Sequence, residues 1–152
     1  MSLLNFLEGN SADVHDRYLK DIWSFADNKI ESTHNFIQWI FPLGVPSASV
    51  PGSPVLSKSD VDEIRRSVIA QENICKSADW YGKFLERNNF WMKGHDHNHL
   101  RITRVIRCLR LLVDDDEADA FRIEVYSLLG INCHPYRCAR EHSGMKLNQD
   151  SF

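Results

Sequence analysis

The run His34-Asn35-Phe36-Ile37-Gln38-Trp39-Ile40-Phe41-Pro42-Leu43 sets hydrogen-bonding side chains inside an apolar stretch. A buried polar group without a partner is costly, so His34, Asn35, Gln38 and the indole of Trp39 need partners in the fold or on a ligand. Two further segments carry the same mixture: Asp13-Val14-His15-Asp16-Arg17-Tyr18, and His97-Asn98-His99-Leu100-Arg101-Ile102-Thr103-Arg104-Val105-Ile106. Arg101 and Arg104 fall near a predicted helix N-terminus, where cations oppose the helix dipole and call for a carboxylate or anion partner such as Asp16. The polar set is therefore His15, Asp16, His34, Asn35, Gln38, Trp39, His97, Asn98, Arg101 and Arg104. It can be a pocket that orients an anionic or peptide ligand. The plainer alternative is a sealed network clamping three helices. Trp39, Phe41, Trp91 and Phe36 can line a groove but more commonly build a core.

Other constellations bring other chemistry to mind. His95, His97 and His99 alternate in a predicted loop, and imidazoles bind Zn²⁺ or Ni²⁺. Asn98 or His97 is also placed to cap the helix that follows. Cys133-His134 with Cys138 and His142 has looser spacing than a structural zinc site. Neither set supports a resident metal, and no cofactor is expected. Arg101, Arg104, Arg107 and Arg110 recur every third residue, a pattern that can touch phosphates, although Asp114 to Glu117 follow at once and offset their field. There is no Gly-rich phosphate loop, nucleophile elbow or His-Glu-x-x-His. The strongest enzyme alternative is a metal-dependent phosphohydrolase using His34, His95-Asp96 and Asp114. In such enzymes the His-Asp doublet lies in a helix, whereas here it follows Lys93-Gly94.

The elements that must position these residues read as helical. The chain has 152 residues, enough for one domain with a real core, and 43% hydrophobic content fits a globular protein. Its 18 basic and 21 acidic residues give a net charge of −3, which disfavours non-specific binding to nucleic acid or anionic membrane. The start lacks the basic and apolar regions of a signal peptide, so a cytoplasmic location with free thiols is expected.

Helix one is expected over Asp13–Asp27 behind Asn10 or Ser11, with Val14, Tyr18, Ile22 and Phe25 on one face. Helix two runs from Glu31 or Thr33 to Phe41, placing His34 and Gln38 one turn apart. Pro42 to Ser57 reads as a long Pro/Ser-rich loop. Ser57 or Ser59 caps helix three, whose stripe is Val61, Ile64 and Val68. Ile74, Ala78, Tyr81 and Leu85 continue into a fourth helix or a kinked extension. After a loop over Asn88–Asn98, helix five spans Leu100–Val113, with Ile102, Val105, Ile106, Leu109, Leu112 and Val113 inward. Helix six begins at the acidic run and ends at Gly130. The expectation is an all-α single domain of about six helices over residues 1–130, with an irregular tail over 131–152.

The three polar segments resemble the conserved region of the opioid growth factor receptor family, in the family's order and at compatible spacings. The likeness covers roughly Asp13 to Leu129, and the chain looks like a small stand-alone, microbial-type member. Its Gly44–Val55 loop departs from the vertebrate pattern. The resemblance implies a compact helical, non-catalytic binding module for a peptide or protein partner. The family's vertebrate receptor binds Met-enkephalin and is associated with the nucleus and its envelope. Peripheral membrane association is implied only through that likeness.

Overall fold

The structure, a computed structural model, describes residues 2–130. Among these residues it is all-α, with eight helices where the apolar pattern suggests about six. The described residues divide between Ser77 and Ala78 into two compact units. No helix of the described residues is long and apolar enough to cross a membrane.

The first unit opens with α1 (Leu3–Leu7), capped by Ser2, whose side chain accepts from the amide of Asn5. Five residues are too short for a readable apolar period, and the sequence pattern gives no sign of this helix. Leu3, Phe6 and Leu7 nevertheless bury themselves against α5 (Lys58–Arg66). Ser67 Oγ donates to Glu8 Oε1 at 2.7 Å and Asn73 Nδ2 to the Leu7 carbonyl at 2.9 Å, fixing the end of α1.

The expected first helix over Asp13–Asp27 does not form. Residues 13–18 are a turn and loop, followed by α2 (Leu19–Trp23) and α3 (Asp27–Ser32). Two carboxylates delay the helix. Asp13 Oδ1 accepts from the amides of His15 (2.8 Å) and Arg17 (3.1 Å), offering the backbone an alternative to a helical turn. Asp21 Oδ2 then accepts from the amide of Tyr18 at 2.7 Å, so the helix begins there and not at Asn10 or Ser11. Val14 and Tyr18 are consequently exposed, while Ile22 is buried.

The second expected helix is also split. The backbone turns extended at Thr33, and only one turn, α4 (Ile37–Ile40), forms before Pro42. His34 and Gln38 therefore do not share a helix face: His34 is exposed and Gln38 buried. The long loop after Pro42 is irregular, as its prolines require, and its base is tied by Leu56 N–H on the Leu43 carbonyl at 2.9 Å. Ser57 caps α5 reciprocally with Asp60. The predicted stripe through Val61, Ile64 and Val68 does not hold. The chain turns extended at Ser67, and Val68, opening α6 (Val68–Arg87), is exposed.

Along α6 the period Ile74, Ala78, Tyr81 and Leu85 is buried throughout. In the second unit, α7 (His97–Leu112) packs on α8 (Asp115–Leu128). Ile102, Val105, Ile106, Leu109 and Leu112 face inward as the 3.6 period requires, with Val113 half-buried. The cap of α7 is Asp96 and not Asn98 or His97, so the helix starts three residues earlier than its apolar period alone suggests. Asp114 caps α8 and Gly130, at φ +74°, closes it. Trp91 plugs the end of α6, its Nε1–H shared between the carbonyls of Leu85 (2.9 Å) and Asn88 (2.8 Å).

On α8, Glu124 lies against Gly82 of α6; a Cβ at Gly82 would stand 3.3 Å from Glu124 Oε1. Burial, followed by the charges of Asp79 and Glu86, pushes the Glu124 carboxyl above its ordinary pKa, with Lys83 opposing. The fold therefore favours the protonated acid. That contribution is complete below the unfolded pKa and is lost as pH rises through the raised folded value. Replacing Glu124→Gln should raise stability by about 0.5 kcal/mol at neutral pH, since the group is largely solvated. The gain should vanish in mild acid. Urea denaturation of both proteins at the two pH values checks this, and a gain that grows on acidification would contradict it.

Candidate binding site

In the first unit the polar residues gather on the 13–18 loop and the segment before α4. Asp13 is 2% exposed. Its Oδ2 takes Arg17 Nε at 2.8 Å and Nη2 at 2.6 Å, so two donors of one guanidinium converge on a single carboxylate oxygen. Arg17 reaches on to Asn35, donating from Nη1 to Oδ1 at 2.9 Å and from Nη2 to the main-chain carbonyl at 3.2 Å. Asn35 Nδ2 then meets His15 Nε2 at 3.2 Å. His15 and Asn35 are thus brought together, through Arg17 and Asp13, which are not among the ten residues of the polar set. The signal open to sequence reading is an aspartate and an arginine four apart, at ion-pair spacing.

Asp16 stands at the loop tip with φ +58°, the only described non-glycine residue in the left-handed region, and its side chain is exposed. His34, also exposed, precedes Asn35 on the extended link. Past Asn35 the one-turn helix α4 buries Ile37, Gln38, Trp39 and Ile40. Trp39 meets the Phe6 ring edge-on at 5.6 Å, and Phe36 meets Phe25 at 5.7 Å. The aromatics Phe36, Trp39, Phe41 and Trp91 are core residues. Gln38 differs from its neighbours. It is 5% exposed, and its Oε1 is fully buried with no hydrogen-bond partner in the protein. An acceptor left so costs about 1–3 kcal/mol.

The second unit carries its own network. Asp96 Oδ1 accepts from the Asn98 amide (2.9 Å) and from Asn98 Nδ2 (2.8 Å). Asn98 Oδ1 in turn accepts from Tyr81 Oη at 2.6 Å and from Arg101 Nη1 at 3.4 Å. Asn98, Tyr81 and Arg101 are all buried. Burial lowers the pKa of Arg104, with Arg107 adding and Cys108 opposing. His97 is exposed beside Asn98 in the chain. His99 turns inward and donates Nε2–H to the Trp91 carbonyl at 2.7 Å. With His95 exposed and His99 committed inside, the alternating histidines present no single chelating face. The Cys133, His134, Cys138 and His142 set lies outside the described residues. Cys75 and Cys108 form no disulfide among the described residues.

The arginine stripe dissolves on the helix. A spacing of three residues precesses by about 60° per step, so Arg101 and Arg110 lie on opposite sides of α7. Arg101 is buried on Asn98, whereas Arg110 pairs with Asp115 (2.8 Å) and Asp119 (2.9 Å). Burial opposes the Arg110 cation, but bonds to those two carboxylates outweigh it and raise its pKa. The phosphohydrolase arrangement fails on geometry as well. Asp96 caps one end of the 16-residue helix α7 and Asp114 follows its other end, about 24 Å away. Each carboxylate is occupied with helix amides.

What remains is a helical domain whose polar residues are positioned by caps and clasps, with no acid–base pair set around a reaction centre among those named. The described conserved region of the opioid growth factor receptor matches residues 4–122, and the chain belongs to that family. Among curated relatives, the opioid growth factor receptor of Rattus norvegicus is 29% identical over 57% of this chain and 18% of its own length. The Homo sapiens receptor is 27% identical over 60% of this chain and 16% of its own length. Opioid growth factor receptor-like protein 1 of Mus musculus is 24% identical over 60% of this chain and 24% of its own length. The matched region thus spans a quarter or less of these relatives. No solved structure matches the chain.

The backbone at Asp16 gives a direct test of the clasp loop. Glycine adopts φ +58° without steric cost, so Asp16→Gly should leave stability unchanged or slightly higher, while Asp16→Val should lose about 1–2 kcal/mol. Thermal melts of both variants check the order, and equal losses would show that the loop does not hold this conformation in solution.

Proposed function

We propose that the chain is a non-catalytic binding module for a peptide or protein partner, with Gln38 as the polar contact that reads it. Relatives named as receptors support a binding role. The observation that carries the reading is the buried Gln38 Oε1 without a donor. A polypeptide is dense in N–H donors, and one would reach this acceptor only when the Gln38 amide turns its sealed oxygen outward on binding; a desolvated acceptor met in that way discriminates against ligands that lack a donor. Asn35, held by Arg17, and Trp39 flank Gln38 in the chain; His15 and Asp16 stand on the loop clasped to Asn35. His34 completes the proposed set in the first unit; His97, Asn98, Arg101 and Arg104 form a separate proposed set in the second. The reading takes the protein as cytoplasmic.

The test separates a ligand contact from a structural bond. Gln38→Met keeps shape and removes the unsatisfied acceptor, so it should raise stability by about 1 kcal/mol or more. Random peptides displayed on phage and selected on the wild-type chain should bind the Met variant at least tenfold more weakly. A Met variant that is less stable than wild type, or peptides that bind both proteins alike, would overturn the reading.

A further inference from the structure

The clasp between the 13–18 loop and Asn35 fixes the proton on His15. A guanidinium can only donate, so the Asn35 atom at 2.9 Å from Arg17 Nη1 is the amide oxygen. The atom 3.2 Å from His15 Nε2 is therefore the NH₂ group, which also can only donate. To accept from it Nε2 must offer a lone pair, and a ring that does so carries its proton on Nδ1. We propose that His15 is a protonation-sensitive latch: it holds Asn35 while neutral and releases it when the second ring nitrogen is protonated.

Protonation would set an N–H against the NH₂ of Asn35. Flipping the amide offers no escape, since it would turn NH₂ onto Arg17 Nη1. The ring is exposed, so protons reach it. Its charged and titratable surroundings are Arg17, linked through Asn35; Asp13, which offsets Arg17; Asp16, next in the chain; and His34, beside Asn35. Release is partial, because Arg17 Nη2 still holds the Asn35 main-chain carbonyl at 3.2 Å. What loosens is the Asn35 side chain, two residues before α4 begins.

NMR of the full chain labelled with ¹⁵N tests this. The ring nitrogens of His15 should report the Nδ1–H tautomer above the imidazole titration. The side-chain NH₂ signals of Asn35 should shift on acidification with the same midpoint as His15. That shift should be lost in His15→Leu and kept in His34→Gln. An Nε2–H tautomer at His15, or an Asn35 response that survives His15→Leu or disappears in His34→Gln, would overturn the proposal.

Discussion

The buried carboxylate of Asp13 is the constraint on which the first unit depends. Its Oδ1 gathers two main-chain amides and thereby turns residues 13–18 away from the helix that their polarity pattern permits. Its Oδ2 draws in the Arg17 guanidinium, whose remaining donors are then aimed at Asn35. A charge this deeply buried is tolerable only when paired and hydrogen-bonded on both oxygens. Asn35 is held on its side chain and its main chain at once, which fixes the approach to α4. One turn later Gln38 is carried inside, where its acceptor has no donor. The ion pair thus ties the 13–18 loop to the segment that leads into α4.

The second unit solves the same problem at a helix start. Asp96 caps α7 and, through the Asn98 amide, fixes which way that amide faces. The oxygen side then takes the Tyr81 hydroxyl and the Arg101 guanidinium. Arg101 lies near the helix end that repels cations, and Asn98, itself turned by a carboxylate, gives it an acceptor there. Trp91 and His99 add a second lock, one sealing the carbonyls that end α6 and the other holding the Trp91 carbonyl. In both units these polar residues fix backbone geometry.

How much of this was legible depends on the length over which a pattern repeats. The buried periods of α6 and α7 run for several turns and are directly legible, as are the Ser57 cap, the acidic start of α8 and the terminal Gly130. Single-turn helices such as α1 and α4 carry no period to read. The 13–18 loop was missed because a side chain competing for main-chain amides leaves no trace in apolar spacing. The polar motifs mark segments in which such bonds form but do not specify the bonds. Asn35 and Asn98 belong to the polar set, whereas Asp13 and Arg17 stand in a motif without being chosen from it and Tyr81 falls on an apolar stripe, although these three hold them. The arginine repeat misled because three-residue spacing looks like a stripe in the sequence and winds around the cylinder in space.

The Asp13–Arg17 pair is most directly probed by a double-mutant cycle of Asp13→Asn and Arg17→Met, measured by chemical denaturation of the full chain. A buried, doubly bonded pair should show a coupling energy of about 1.5 kcal/mol or more, each single change costing nearly as much as both together. Additive losses with a coupling near zero would mean that the pair does not organise the loop, and the account of Asn35 and Gln38 built on it would be wrong.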